Sequence, residues 1–291
     1  MASLHQDTPS LQWFSRLAQS LDRRSATRLA LLFLGVVLAR GRRTVTSWIP
    51  AAKLSDQFRH CYTTVAAAGK KADTVAKQLL IDAVLPLVND DPRIMLALDD
   101  TPTERFGPKV QGAGTHHNPT RGPAGSAYVY GHVWVVLGIL VTHINWGTSA
   151  LPLLARLYIR KKDLPAIHPK HRPTFRTKLE MAVELLEWAA QVLKQLGKPL
   201  WVVVDGACAK APFLEPAAKQ GYTVVSRLRK DAALHSVPKP RPTGQRGRPR
   251  IYGEHSINLA MRAGQRCGWQ TGTFSPYGEE KTKRYKTFLA T

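Results

Sequence analysis

Acidic side chains are what this 291-residue sequence has least of: 20 Asp and Glu stand against 42 Lys and Arg, for a formal net charge of +22. Such an imbalance favours a polyanionic partner, because each Lys or Arg placed on a phosphate releases a condensed counterion. Nucleic acid leads, and acidic membrane is the rival. Long apolar runs are lacking too. LALLFLGVVLA (29–39) is too short to span a bilayer, and VYGHVWVVLGILVTHINW (129–146) is interrupted by His132 and His143. No amphipathic or lipidated segment is found either, so a membrane is not expected as a partner. Three scattered cysteines, Cys61, Cys208 and Cys267, supply neither a disulfide framework nor a metal-ligand spacing, and fit a reducing compartment. The opening MASLHQDTPS has no basic region followed by an apolar one, so export is not expected. What is present is a 44% hydrophobic chain, enough to bury the core of a large domain plus an attachment.

Residues 11–88 carry helical periodicity. Trp13, Leu17 and Leu21 fall on one face, 28–39 reads as a buried helix, and VAKQLLIDAVLPLV (75–88) as a third. Arg40, Arg42 and Arg43, in ARGRRTVTSW, have two readings: a solvated turn complementing a helix C-terminus, or a loop that contacts phosphates. From residue 93 the pattern changes. RIMLALDD (93–100), YVYGHVWVVLGILV (128–141) and SALPLLARLYI (149–159) are strand-like, bounded by Gly, Pro and Asn. FRTKLEMAVELLEWAAQVLKQLG (175–197) has a helical stripe of Leu179, Val183, Leu186, Ala190 and Leu193, with Gly197 at the C-cap. LWVVVDG (200–206) is a short, wholly apolar strand ending in Asp205, the pattern of a central strand covered on both faces. A short helix over 211–220 and a strand over 222–229 follow. The order β-β-β-α-β-α-β predicts an α/β protein with a mixed sheet and flanking helices, preceded by an all-helical region.

Where acids are scarce, an adjacent pair at the end of an apolar run stands out. Asp99 and Asp100 close the strand 93–100, and Asp205 closes the strand 200–205. If those strands lie side by side and parallel, their carboxyl ends meet at the edge where open α/β sheets bind ligands, and Asp100 and Asp205 face each other. Opposed carboxylates repel unless a cation lies between them. Hard oxygen donors of this kind suit Mg²⁺ or Mn²⁺. Two ions about 3.5–4 Å apart would serve an in-line phosphoryl displacement. Asp99 is the weaker candidate, because successive strand residues point to opposite faces.

The strand "LALDDT" with Asp100 before Thr101, the following "GPKVQGAGTHHNPTRGPAGSAYVYGHVWVVLGIL", the later "WVVVDGACAK" and the downstream "GRPRIYG" together resemble the DDE transposases of bacterial insertion sequences, which have a ribonuclease H-like catalytic core. The resemblance covers most of the chain from about residue 90 onward. It implies metal-dependent DNA cleavage at transposon ends, with water as first nucleophile and the freed 3′-hydroxyl then attacking target DNA. Asp100 becomes the first metal ligand and Asp205 the second, around two Mg²⁺ or Mn²⁺ ions. It further implies a homodimer bridging two DNA ends, no small-molecule substrate, and a cytoplasmic, nucleoid-associated bacterial protein. The family's third acid lies in a pattern resembling Tyr-x-x-Arg-x-x-x-Glu, which this sequence does not contain; Glu215, Glu254, Glu279 and Glu280 stand in other contexts. A C-terminally truncated chain of impaired activity is therefore expected.

The regions read as follows: 1–90 helical, with DNA contacts in view; 91–229 an incomplete catalytic core; 230–272 a basic Pro/Gly-rich insertion; 273–291 a return towards the core without the final helix. Within and beside the insertion, Arg227, Arg229, Lys239, Arg241, Arg246, Arg248 and Arg250 are the candidate DNA contacts. Frequent Pro and Gly prevent regular structure there. QRGRPR (245–250) suits an A·T-rich minor groove, whose narrow width concentrates negative potential; a solvated loop is the bland rival. The run Arg156, Arg160, Lys161, Lys162, Lys170, Arg172 and Arg176 is expected on the substrate side, leading from strand to helix, with a solvated connection as its rival. His116 and His117 read as a polar loop, and His132 and His143 as hydrogen-bonded strand residues. Trp134, Trp188 and Trp201 read as packing, while Trp269 is left between packing and base stacking. Two other functions stay open: a non-catalytic DNA-binding remnant, in which the aspartates are vestigial or structural, a single one capping the helix near residue 207, and a ribonuclease H-like nuclease.

Overall fold

A computed structural model describes residues 9–42, 44–88, 90–107, 109–117, 126–145, 147–228, 231–275 and 279–291. By its internal contacts the chain divides into two units, residues 1–204 with 210–225, and residues 205–209 with 226–291. Arg43 and Arg229 lie outside the described residues.

The first unit opens with helices: α1 (Pro9–Ala18), α2 (Arg23–Leu38), α3 (Val45–Ala51), α4 (Phe58–Lys70), α5 (Ala72–Leu79) and, after a π-turn, α6 (Leu85–Val88). Asp22 starts α2, its carboxylate accepting the N–H groups of Arg24 and Ser25. Of the apolar stretch 29–39 the buried side of that helix is Leu29, Ala30, Leu32 and Gly35, while Val37 and Leu38 are exposed: Leu32 packs with Ile49, Ala52, Leu54 and Cys61, and Leu29 and Ala30 pack with Ala18.

A six-stranded sheet follows, built from β1 (Ile94–Glu104), β2 (Gly114–His117), β3 (Tyr128–His143), β4 (Gly147–Tyr158), β5 (Leu200–Val204) and β6 (Thr223–Ser226). β3 pairs antiparallel with β1 on one side and with β4 and then β2 on the other, and β5 runs parallel to β1 with β6 beyond it. This is the mixed α/β, ribonuclease H-like arrangement expected from the sequence. Gly131 pairs with both Glu104 and Gly114, and a Cβ there would stand 2.1 Å from the Thr103 carbonyl, so β3 passes only as glycine at this point.

Helix α7 (Lys178–Leu193) covers the sheet. It begins three residues later than its apolar pattern, because Thr177 and Glu180 form a reciprocal capping box. Gly197, at φ +62°, takes the left-handed position after its last turn. The buried positions are Met181, Ala182, Leu185, Leu186, Ala189 and Leu193, a broader face than the predicted stripe and rotated from it. A helix lying on a sheet covers a wide arc, so Leu179, Val183 and Ala190 are only partly buried. Helix α8 (Ala211–Lys219) packs against α7.

Two expectations are corrected. β1 does not end at its aspartates but continues to Glu104, because the 16-residue β3 supplies a partner for every residue from Leu96 to Glu104. His116 and His117 lie in strand β2 rather than in a loop, paired with Val129 and Tyr128. The arginines of the run from Arg156 to Arg176 make ion pairs and hydrogen bonds within the fold. Arg156 binds Glu184 and Asp73, each at 2.7 Å, Arg176 also binds Glu184, Arg160 binds Asp163, and Arg172 donates to the carbonyls of Ile167 and Pro165. Lys161, Lys162 and Lys170 remain exposed.

The second unit contains two short antiparallel ladders, β7 (Leu234–His235) with β8 (Ser256–Ile257) and β9 (Gln270–Phe274) with β10 (Lys281–Tyr285), and the helix α9 (Leu259–Gly264). Thr291 and His235 exchange backbone hydrogen bonds of 2.9 and 2.8 Å.

Candidate active site

β1 and β5 pair from Ile94↔Leu200 to Leu98↔Val204. There β5 stops, and Asp205 is the next residue in the chain. β1 runs on past Leu98, held by β3 through Asp99↔Val136 and Asp100↔Val135. Asp100 is in phase with the buried Ile94, Leu96 and Leu98, whereas Asp99 is in phase with the other face. The Asp99 carboxylate accepts the Asp100 N–H at 2.8 Å. Asp100 itself is half-exposed, and its Oδ2 is paired with the ammonium of Lys178, the first residue of α7. The same ammonium stands 5.5 Å from the centroid of the Tyr158 ring.

Asp205 heads a turn. Its Oδ1 accepts the N–H groups of Ala207 at 3.0 Å and Cys208 at 3.2 Å, and its carbonyl accepts from Ser226 Oγ at 2.9 Å. This is the local bonding an aspartate adopts after a strand end. Among the described residues Oδ2 of Asp205 takes no hydrogen bond. Both aspartates offer hard oxygen donors, the chemistry that Mg²⁺ and Mn²⁺ require. Among the described residues no group of three or more His, Cys, Asp and Glu side chains is placed to hold a metal ion.

Two strand histidines add polar structure. His132 Nδ1 accepts from Arg105 Nε at 3.2 Å, so its Nε2 carries the proton and donates to the Gln111 carbonyl at 3.0 Å. His116 is buried on β2, its ring 6.2 Å from that of Tyr158. Burial, then the positive charges of Arg160 and Lys178, hold its imidazole below the usual histidine range. The neutral form is thus the folded form. Its stabilising effect is present above the unfolded pKa of about 6.5 and is lost as pH falls below it, because the unfolded chain then binds the extra proton. In His116→Gln the drop in thermal midpoint between about pH 7.5 and about pH 5.5 is therefore smaller than in the wild type; an equal drop would show that other groups carry the pH dependence.

The basic segment 236–255 has no helix or strand. Its ends are tied by Ser236 N–H to the His255 carbonyl (2.8 Å) and Gly253 N–H to the Ser236 carbonyl (2.7 Å). The loop so closed curls round a cavity of about 450 Å³ lined by Lys239, Arg241, Arg246, Arg248 and Arg250, all exposed. Arg250 stands 3.6 Å from Glu254. Arg227 is exposed, and Arg229 is not among the described residues. Trp269 is partly buried, donates to the Gln265 carbonyl at 2.8 Å and has the cations of Arg284 and Lys286 over its ring at 5.0 and 4.8 Å.

Sequence reasoning missed Lys178 and Tyr158. No spacing marks a lysine 78 positions from its aspartate. Its only local signal is a basic residue in a first helical turn, where the helix dipole disfavours positive charge.

No curated protein matches this chain. No helix among the described residues is long and apolar enough to cross a membrane. A family model described as DDE superfamily endonuclease matches residues 16–273, most of the helical region, the whole sheet and all of the basic segment. That family acts on DNA and generally uses divalent metal ions. With the strand order and a match over most of its length, the chain belongs to the DDE superfamily endonucleases.

Proposed function

We propose that this protein is a transposase of the insertion-sequence type, cleaving DNA at element ends and joining the freed 3′-hydroxyl to a target phosphodiester. The observation that carries the reading is the β1–β5 register: it ends at Leu98↔Val204, and along the chain Asp205 follows Val204 directly while Asp100 lies two residues beyond Leu98. Asp100 and Asp205 are the residues that would hold a divalent ion. When bound, Mg²⁺ or Mn²⁺ supplies the Lewis acidity that activates an attacking oxygen and stabilises a leaving one. The exposed arginines of 236–255 and Arg227 bind the DNA backbone, with Arg229 assigned to the same role, and two copies of the chain bridge two ends. No glutamate in the 291 residues stands in the pattern of the family's third acid.

The test is incubation of the full chain with a labelled duplex and Mg²⁺. The reading expects nicks bearing 3′-hydroxyl ends, absent with EDTA, followed by joined products. Asp205's role in its own turn favours a second reading, a DNA-binding protein without strand chemistry. Metal-independent binding with no nicks at any Mn²⁺ concentration would establish that one instead.

The DNA grip makes its own prediction. Replacing Arg246, Arg248 and Arg250 together by alanine lowers duplex affinity and reduces the slope of log K against log salt by about 2–3, since each phosphate contact contributes roughly 0.9. Fluorescence anisotropy over a salt series reads both, and repeating it with A·T-rich and G·C-rich duplexes reads groove preference. The wild type is expected to favour A·T, and the variant to lose that preference. An unchanged slope would remove these arginines from the interface.

A further inference from the structure

We propose that Lys178 is a positioning residue that occupies Asp100 until a divalent ion displaces it, so that ion loading is a competition between an ammonium and a metal. The inference rests on the reading of Asp100 as an ion ligand and adds to it a residue outside the carboxylate set.

Three observations support it. First, helix formation does not explain a lysine at position 178. It is the first residue of α7, where the helix dipole disfavours a cation, and the cap is already complete through Thr177 and Glu180. What the lysine gains is Asp100 and the face of Tyr158. Second, the neighbouring acids are held differently. Asp73, Glu184 and Asp163 are bound by Arg156, Arg176 and Arg160. A guanidinium makes a rigid, forked and lasting pair; an ammonium on a four-carbon stem is a point charge that swings away readily. Arginine thus secures the acids of the fold, and lysine holds the one the reading assigns to an ion. Third, the displaced ammonium has somewhere to go. The Tyr158 ring offers a cation–π surface, and both Lys178 and Asp100 are 42% exposed, so exchange needs no unfolding.

The size of the effect follows from the competition. An ion pair this exposed favours its closed form by a factor of about 1.5 to 5, and the apparent metal affinity falls by a similar factor. Neutralising the lysine also removes a positive charge from beside the incoming ion. Lys178→Met therefore tightens Mn²⁺ binding on the order of 5-fold.

The experiment is a calorimetric or electron-paramagnetic titration of Mn²⁺ into the full chain without DNA, for the wild type, Lys178→Met, Lys178→Gln, Lys178→Arg and Asp100→Asn. The expected result is tighter binding in both neutral variants, binding weaker than wild type in Lys178→Arg, whose forked guanidinium holds Asp100 more lastingly, and weak binding in Asp100→Asn. A merely structural lysine would loosen the site when replaced, and equal or weaker binding in Lys178→Met and Lys178→Gln overturns the inference while leaving Asp100 a ligand. Wild-type binding in Asp100→Asn overturns the reading beneath it.

Discussion

Asparagine in place of Asp100 lowers Mn²⁺ affinity by at least about 100-fold, whereas asparagine in place of Asp99 leaves it within about twofold. Removing a residue that merely orients a metal ligand costs about 10- to 100-fold, and removing a charged ligand costs no less. The contrast between neighbours comes from the pleat. Asp100 follows Ile94, Leu96 and Leu98 on one face of β1, and Asp99 lies on the other. Asp99→Asn keeps an oxygen that can accept the Asp100 N–H, so the backbone is undisturbed. Asp100→Asn keeps shape and polarity and loses only the charge. Mn²⁺ titration decides the matter, and Mg²⁺-dependent nicking should follow the same order. If Asp99→Asn proves the more damaging, the ion lies on the opposite face of the sheet and Lys178 has no part in its binding.

The same pleat explains what could be read before any coordinates. Strands 128–141 and 200–204 are apolar at nearly every position, which only a sheet covered on both faces requires, so the mixed sheet and its flanking helices were legible. The aspartates were conspicuous because acids are scarce. β2 was not legible: Gly-Thr-His-His carries no apolar alternation and is a strand only because β3 extends beyond β4 and leaves an edge open. The continuation of β1 through Asp-Asp-Thr-Pro-Thr-Glu was hidden for a similar reason, since pairing with β3 overrides a polar sequence. Nor can charge counting separate a phosphate-binding arginine from one that holds the fold together. Arg156 and Arg248 look alike in the sequence, but Arg156 is enclosed by Asp73 and Glu184, and Arg248 is exposed on a loop without secondary structure.

Alanine at Phe213 costs about 3–5 kcal/mol and lowers the thermal midpoint by roughly 10 °C. Phe213 is fully buried on α8 and is among the largest such side chains in the chain. Ala217, one turn later on the same face, is equally buried, and α8 packs against α7. A phenyl ring lost from such a place leaves a cavity that a short helix fixed at both ends cannot collapse to fill. Its N-terminal end is fixed by Phe213 N–H and Leu214 N–H to the Lys210 carbonyl. The far end is fixed by Tyr222, whose buried hydroxyl donates to the Leu186 carbonyl at 2.8 Å; burial pushes that phenol well above its ordinary pKa. Against a total stability of about 5–15 kcal/mol, this single substitution removes a large share. Phe213→Leu refills most of the space and is expected to cost about 1.5 kcal/mol or less, and Tyr222→Phe about 1 kcal/mol for its hydrogen bond. Circular dichroism melts of the three variants give the ranking. Because α8 begins six residues after Asp205, a Phe213→Ala protein that melts early yet retains wild-type Mn²⁺ affinity below its transition would show that the Asp205 turn is held by its own hydrogen bonds with Ala207, Cys208 and Ser226 rather than by the helix that follows in the chain.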